Sequence, residues 1–168
     1  MQTFILMSLG CIIACGLSLD PSRSSSGEIL GLHDASRARG KLYFGTASDW
    51  WEFQRDELYF KQLNNTHDFG QLTADASMKM DQTQPERGVF NFTGGDILVG
   101  LALSNGQLLR CHNTVFHLST PTWVTDGNFD NDTLVEILKD HVNRTVTHYK
   151  GKCYAWDVVN EGLYACHL

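Results

Sequence analysis

The segment Trp156-Asp157-Val158-Val159-Asn160-Glu161 places a carboxylate, preceded by an amide, at the end of an apolar run with two β-branched residues. Such a run is how a buried parallel strand delivers an acid to the mouth of an α/β barrel. A carboxyl group held there can give or take a proton at a reacting oxygen. Cleaving a bond between two sugars needs a pair of such groups on opposite sides of the bond. His112 and His117, five apart, raise metal binding as another use of the donors. No third ligand follows at suitable spacing, so no metal is expected. No G-x-G-x-x-G follows the first predicted strand, which leaves dinucleotide binding without support, and no cofactor is expected.

The elements that must position Glu161 can be read from periodicity and turn chemistry. Residues 42–47, 69–73, 108–112 and 153–160 read as strands. Residues 51–63 read as a helix anchored by Trp51, Leu58 and Leu63, and residues 96–104 as a helix ended by Asn105-Gly106. Residues 131–149 read as an amphipathic helix, with Leu134, Ile137, Leu138, Val142 and Val146 at helical spacing and Lys150-Gly151 closing it. Strands alternating with helices call for a parallel sheet. Four such units make half of a (β/α)8 TIM barrel, whose whole takes about 250 residues. A doubly wound open sheet is the alternative.

Composition fits one ordinary domain. The chain has 168 residues, 42% of them hydrophobic, and a formal net charge of −6 without a Lys/Arg cluster. Nucleic acid is therefore not an expected partner. Residues 4–19 carry no charge and read as the core of a secretory signal peptide spanning residues 1–19, which leaves no membrane association once it is removed; a short membrane anchor is the alternative. Residues 20–39 read as a linker or a short helix, with Leu30, Leu32, Ala35 and Ala38 as one stripe. Four N-x-T triplets begin at Asn64, Asn91, Asn131 and Asn143 and support a secreted, extracellular glycoprotein. Cys11 and Cys15 would leave with the leader. Cys111, Cys153 and Cys166 would remain and allow at most one internal bridge, whose pairing stays open.

Several ordered motifs carry a resemblance. Gly40-Lys41-Leu42-Tyr43-Phe44-Gly45-Thr46-Ala47, Asp68-Phe69-Gly70-Gln71-Leu72-Thr73, Ser77-Met78-Lys79, Arg87-Gly88-Val89-Phe90-Asn91-Phe92, His112 with Val115-Phe116-His117, and the segment ending in Glu161 follow one another along residues 40–161. In order and approximate spacing they resemble the fungal endo-1,4-β-xylanases of glycoside hydrolase family 10. The resemblance implies a partial catalytic domain over residues 40–168, folded as the N-terminal half of the barrel. It implies retaining hydrolysis of β-1,4-xylosidic bonds, with xylan or xylo-oligosaccharides as substrate. Glu161 matches the general acid/base, Asn160 the amide that binds the 2-hydroxyl of the sugar at the cleavage point, Lys79 a sugar-binding lysine, and His112 a histidine that contacts the same sugar.

Departures from the family pattern are also visible. Where the family reads Glu-Asn-Ser-Met-Lys-Trp, this chain reads Asp75-Ala76-Ser77-Met78-Lys79-Met80. Where it reads Gly-His-Thr-Leu-Val-Trp-His, this chain reads Cys111-His112-Asn113-Thr114-Val115-Phe116-His117, with Ser119 in place of a glutamine. Lost hydrogen bonds to sugar hydroxyls weaken binding. Glu86, Glu136 and Asp140 fall away from the strand ends, so no nucleophile is expected among these residues. The expectation is an inactive xylanase fragment; the alternative is a non-catalytic secreted carbohydrate-binding relic or decoy. Trp123 and Trp156 are expected in packing rather than as sugar platforms, and Asp81 and Asp157 as hydrogen-bonding or ion-pair partners.

Overall fold

The computed structural model describes residues 31–162, in which four strands form one parallel sheet in the order β1-β2-β3-β4. The elements run α1 (Leu32–Ala38), β1 (Gly45–Ser48), α2 (Trp50–Phe53), α3 (Glu57–Leu63), β2 (Gln71–Ala74), α4 (Met80–Thr83), α5 (Thr93–Ser104) and β3 (Leu108–Phe116). After a 3₁₀ turn (His117–Ser119) follow α6 (Thr122–Thr125), α7 (Asn131–His148) and β4 (Ala155–Asn160). Consecutive strands are neighbours and every crossover carries helix. This is the arrangement expected for half a (β/α)8 barrel rather than for a doubly wound sheet, whose order reverses at a switch point. The leader over residues 1–19, most of the 20–39 segment and Cys166 lie outside the described residues; α1 realises the short helix within 20–39.

Parallel register puts side chains at paired positions on a common face. Thr46 pairs with Leu72, Leu72 with Leu109, and Cys111 with Trp156. That face packs against the helices: Leu72, Ala74, Leu98, Ala102, Leu109, Cys111 and Tyr149 are all nearly or fully buried in one cluster, with Trp156 against it. A Cβ at Gly95 would clash with the Tyr149 hydroxyl, so glycine there lets α5 pack on the first residue after α7 without displacing that ring. Thr73 pairs with Arg110, and His112 with Asp157. This opposite face is polar, as the inner face of a barrel's functional end can be.

Several expected boundaries shift for identifiable reasons. The single helix over 51–63 is two helices, because the Asp56 carboxylate accepts from the backbone N–H groups of Leu58 and Tyr59 and starts α3 afresh. Leu58 is 79% exposed and anchors nothing, whereas Phe53 and Leu63 are buried. In α7, capped by Asp130 on Thr133 N–H at 2.8 Å, the stripe taken as the core face is turned aside. Leu134 and Leu138 are exposed, and the inward face is Ile137, His141 and Thr145. The third strand runs on to Phe116, past the expected end at His112. It continues through a bulge in which Asn113 and Thr114 face Val158. Thr114 Oγ1 donates to the Val158 carbonyl there.

Cys111 and Cys153 form a disulfide, joining β3 to the approach of β4 across a sequence separation of 42. Among the described residues no helix is long and apolar enough to cross a membrane.

Candidate active site

Glu161 follows the last residue of β4 and takes a left-handed backbone conformation, φ 49°. That conformation costs a non-glycine residue about 1 kcal/mol or more. The strand ends there by turning rather than by fraying. Asn160 lies half-buried directly before it, beside Phe116 in the β3–β4 register. Val115, His117, Thr120, Val159, Asn160, Glu161 and Gly162 line a cavity of about 320 Å³ at the C-terminal ends of these two strands. This is the end at which barrels of this type carry their chemistry. The cavity brings together the predicted acid and amide, and its wall includes His117. Lys79 and His112 are not among its lining residues.

Both of the latter are nonetheless tied to it. The Lys79 ammonium sits 5.5 Å from the centroid of Phe116, the register partner of Asn160, a cation–π contact. Lys79 itself caps α4, and its carbonyl accepts from the Thr83 hydroxyl at 3.0 Å. The turn before it hangs on Asp49, which is fully buried at the end of β1. One Asp49 oxygen accepts from Trp50 N–H at 2.9 Å and the other from Ala76 N–H and Ser77 N–H, both at 2.7 Å. Hydrogen bonds to a charged acceptor contribute about 1.5–3 kcal/mol each. A short side chain at the end of one strand thus fixes the loop after the next.

His112 lies lower on the polar face. Its Nδ1 is 2.8 Å from one Asp157 oxygen, while Arg110 donates to the other through Nε at 3.2 Å and a terminal nitrogen at 2.9 Å. Burial alone would raise the Asp157 carboxyl; the Arg110 and His112 hydrogen bonds and charges outweigh it and hold the group below the usual carboxylate range. An ionised carboxylate only accepts, so His112 Nδ1 carries a proton. Asn113 Nδ2 lies 3.1 Å from the other ring nitrogen, Nε2. Asn113 is fully buried, and its Oδ1 has no partner. Asp157 thus proves a polar partner of the site. Asp81, offered for a similar role, keeps a buried Oδ1 without a hydrogen bond.

Arg110 was not among the candidates, although it stands two residues from His112 and so on the same face of β3. Asp49 was missed as well, because its role depends on a neighbouring strand's loop. Met80, where the family pattern has an indole, is buried at 6% exposure and is unavailable as a platform. Trp123 donates to the Gln84 carbonyl at 3.0 Å, a packing role as expected. Chemically, the arrangement offers one exposed carboxyl group next to a half-buried amide, over a face whose charges are internally compensated.

A family model described as Glycosyl hydrolase family 10 matches residues 31–166. An endo-1,4-beta-xylanase of Agaricus bisporus is 53% identical over 122 residues, 73% of this chain and 36% of the relative. Endo-1,4-beta-xylanase D of Talaromyces funiculosus is 49% identical over 132 residues, 79% of this chain and 32% of the relative. The chain therefore spans about a third of the length of the curated relatives it matches. Among solved structures, a GH10 xylanase from Bispora sp. MEY-1 with xylobiose superposes with a TM-score of 0.75 at 47% identity, covering 80% of this chain and 41% of that one. Xylanase 10B of Thermotoga petrophila, also with xylobiose, reaches a TM-score of 0.76 at 30% identity, covering 83% of this chain and 42% of that one.

Proposed function

The chain belongs to glycosyl hydrolase family 10, its four strands forming the first half of that family's (β/α)8 barrel, and from this we propose that it supplies the acid/base side of a secreted endo-1,4-β-xylanase. The observation that carries the reading is the cavity at the end of β3 and β4, where Asn160 and Glu161 meet. Glu161 protonates the glycosidic oxygen as the bond breaks, then takes a proton from the water that releases the sugar. Asn160 donates to the 2-hydroxyl of the sugar at the cleavage point. Lys79 binds a sugar further toward the non-reducing end, and His112 shapes the floor beneath the cleavage point. The xylobiose held by the Bispora and Thermotoga petrophila enzymes supports a xylo-oligosaccharide as the ligand.

Retaining hydrolysis also needs a nucleophilic carboxylate about 5–5.5 Å from the acid. No residue of this chain is proposed for that role. The 168-residue polypeptide by itself is therefore expected to release no sugar from xylan. The test joins it to the second barrel half of the Agaricus bisporus relative. The chimera should hydrolyse xylan, and Glu161→Gln should reduce that rate by about 10²–10⁴-fold, the usual weight of a positioned acid. The same variant should keep the first step on aryl xylosides with good leaving groups, which need little protonation. Equal loss on both substrates would remove Glu161 from the acid role. A chimera that binds xylo-oligosaccharides without turnover would favour the non-catalytic alternative, in line with the alanine at 76 and the buried Met80.

A further inference from the structure

Helix α7 contains the triplet Asn143-Arg144-Thr145. At about 100° per residue, Asn143 projects away from the inward face set by Ile137, His141 and Thr145. Beside it lies a cavity of about 330 Å³ lined by Phe90, Phe92, Asn143, Arg144, Thr147 and His148. Its size is at the small end of ligand cavities, fit for a single ring system. Its walls are built. Phe90 and Phe92 are stacked with centroids 5.8 Å apart, and the His148 ring lies on Phe92 at 4.0 Å. His148 is held by Asp96 at 2.7 Å and Arg144 by Asp140 at 2.8 Å. The other triplets lack such a seat. Asn64 Oδ1 accepts from Asn105 and Asn91 Oδ1 from Thr93 N–H, and neither these two nor Asn131 lines the cavity.

We propose that Asn143 carries an N-linked glycan whose first N-acetylglucosamine occupies this cavity. The proposal rests on the secretory reading above. The co-reactant is an oligosaccharide on a lipid diphosphate. The Asn143 amide nitrogen forms a bond to the anomeric carbon, the bond from that carbon to the diphosphate oxygen breaks, and the lipid diphosphate leaves while the amide gives up one proton; nothing is oxidised or reduced. The sugar's C–H face and acetyl methyl group match the apolar phenylalanine rings, and its hydroxyls and amide match Arg144, Thr147 and His148. Thr145 sets the timing. It is fully buried and its hydroxyl has no partner, so a transferase can read that hydroxyl only before α7 packs. Attachment precedes folding.

The full chain is secreted from a fungal host and mapped by mass spectrometry before and after enzymatic deglycosylation. The Asn143 peptide should be glycosylated, and Asn143→Gln should lose one glycan. Thr145→Val should lose the same glycan while replacing an unpaired buried hydroxyl with a methyl group of the same shape, so its packing is preserved. Trimming the glycan to one sugar should leave amide exchange around 90–92 and 143–148 unchanged, and Asn143→Gln should speed it several-fold. Glycans at Asn64, Asn91 or Asn131 with a bare Asn143 would overturn the proposal and leave the secretory reading standing. Four bare asparagines on a chain still beginning at Met1 would overturn both. A glycosylated Asn143 whose Gln variant exchanges at the same rate would overturn the seat.

Discussion

Asp157 holds three relations at once: an ion pair with Arg110, the orientation of His112, and a place on the strand that ends in Glu161. Removing its charge separates these. Asp157→Asn should cost about 1 kcal/mol in urea unfolding, a modest figure because Arg110 is half exposed. It should also loosen the His112 ring. Nitrogen NMR of the ring should report a proton held at Nδ1 in the parent and a loss of that preference in the variant; an unchanged spectrum would mean that Asp157 does not orient the ring. How far such residues could be read in advance varied. The place of Glu161 at a strand end was legible from the pattern, but the roles proposed for it and for Asn160 came from the resemblance, because a strand-end Glu alone is more often an ion-pair or hydrogen-bond residue. Lys79 and His112 were legible only through the resemblance, since a lone lysine or histidine has no spacing of its own. Asn113 was beyond reach: its contact with His112 depends on a bulge that no periodicity announces.

Helix α7 shows how an element can be found while its orientation is misread. Its ends follow from Asp130 and Gly151, but hydropathy selects Leu134 and Leu138 for the core and the fold selects His141 and Thr145. An apolar stripe marks a face that needs covering, and in a ring of helices the covering neighbour can be lateral. The consequence is a buried histidine. His141 Nδ1 lies 3.0 Å from Gln84 Oε1, and its Nε2 is buried without a hydrogen-bond partner. Burial lowers its pKa from the ordinary 6.5, outweighing the opposing pull of the Thr114 carbonyl and Asp140. The unfolded chain then binds more protons than the folded one below about pH 6.5, so folding stability falls as pH drops through that value, by up to about 1.4 kcal/mol per unit. Urea unfolding between pH 7.5 and 5 should show this slope. His141→Gln should flatten it, and an equal slope in the variant would assign the effect to other groups.

At the scale of the whole molecule, strand order, helix alternation and the half-barrel reading were legible because consecutive units each carry their own pattern. The cysteine pairing was not, since three cysteines outside the leader allow several bridges. The Cys111–Cys153 bridge encloses all of α6 and α7 together with the cavity wall of Val115, His117 and Thr120. Loop-closure entropy for a separation of 42 gives roughly 4 kcal/mol of stabilisation. Replacing both cysteines by alanine should lower the unfolding free energy by about that much. A loss below about 1 kcal/mol would show that the unfolded chain was already confined.

The same bridge ties the root of β4 to β3 and the ladder continues to Asn160, so the strand is braced along one edge. Its root is clamped at Cys153 by a covalent strut to β3, and its tip, Glu161, lies eight residues on, about 26 Å along an extended strand. Val158 and Val159 near the tip are more than half exposed. The last ladder pair is Phe116 with Asn160, so Glu161, the acid of the proposed reading, is the first residue beyond the ladder. Amide exchange should therefore be slow along the laddered residues from Ala155 to Asn160 and fast at Glu161, and it should slow at Glu161 when a further strand is laid along the other edge, as in the chimera. Under the proposed reading, the precision of the acid then depends on what braces that second edge as well as on the ladder that holds the first.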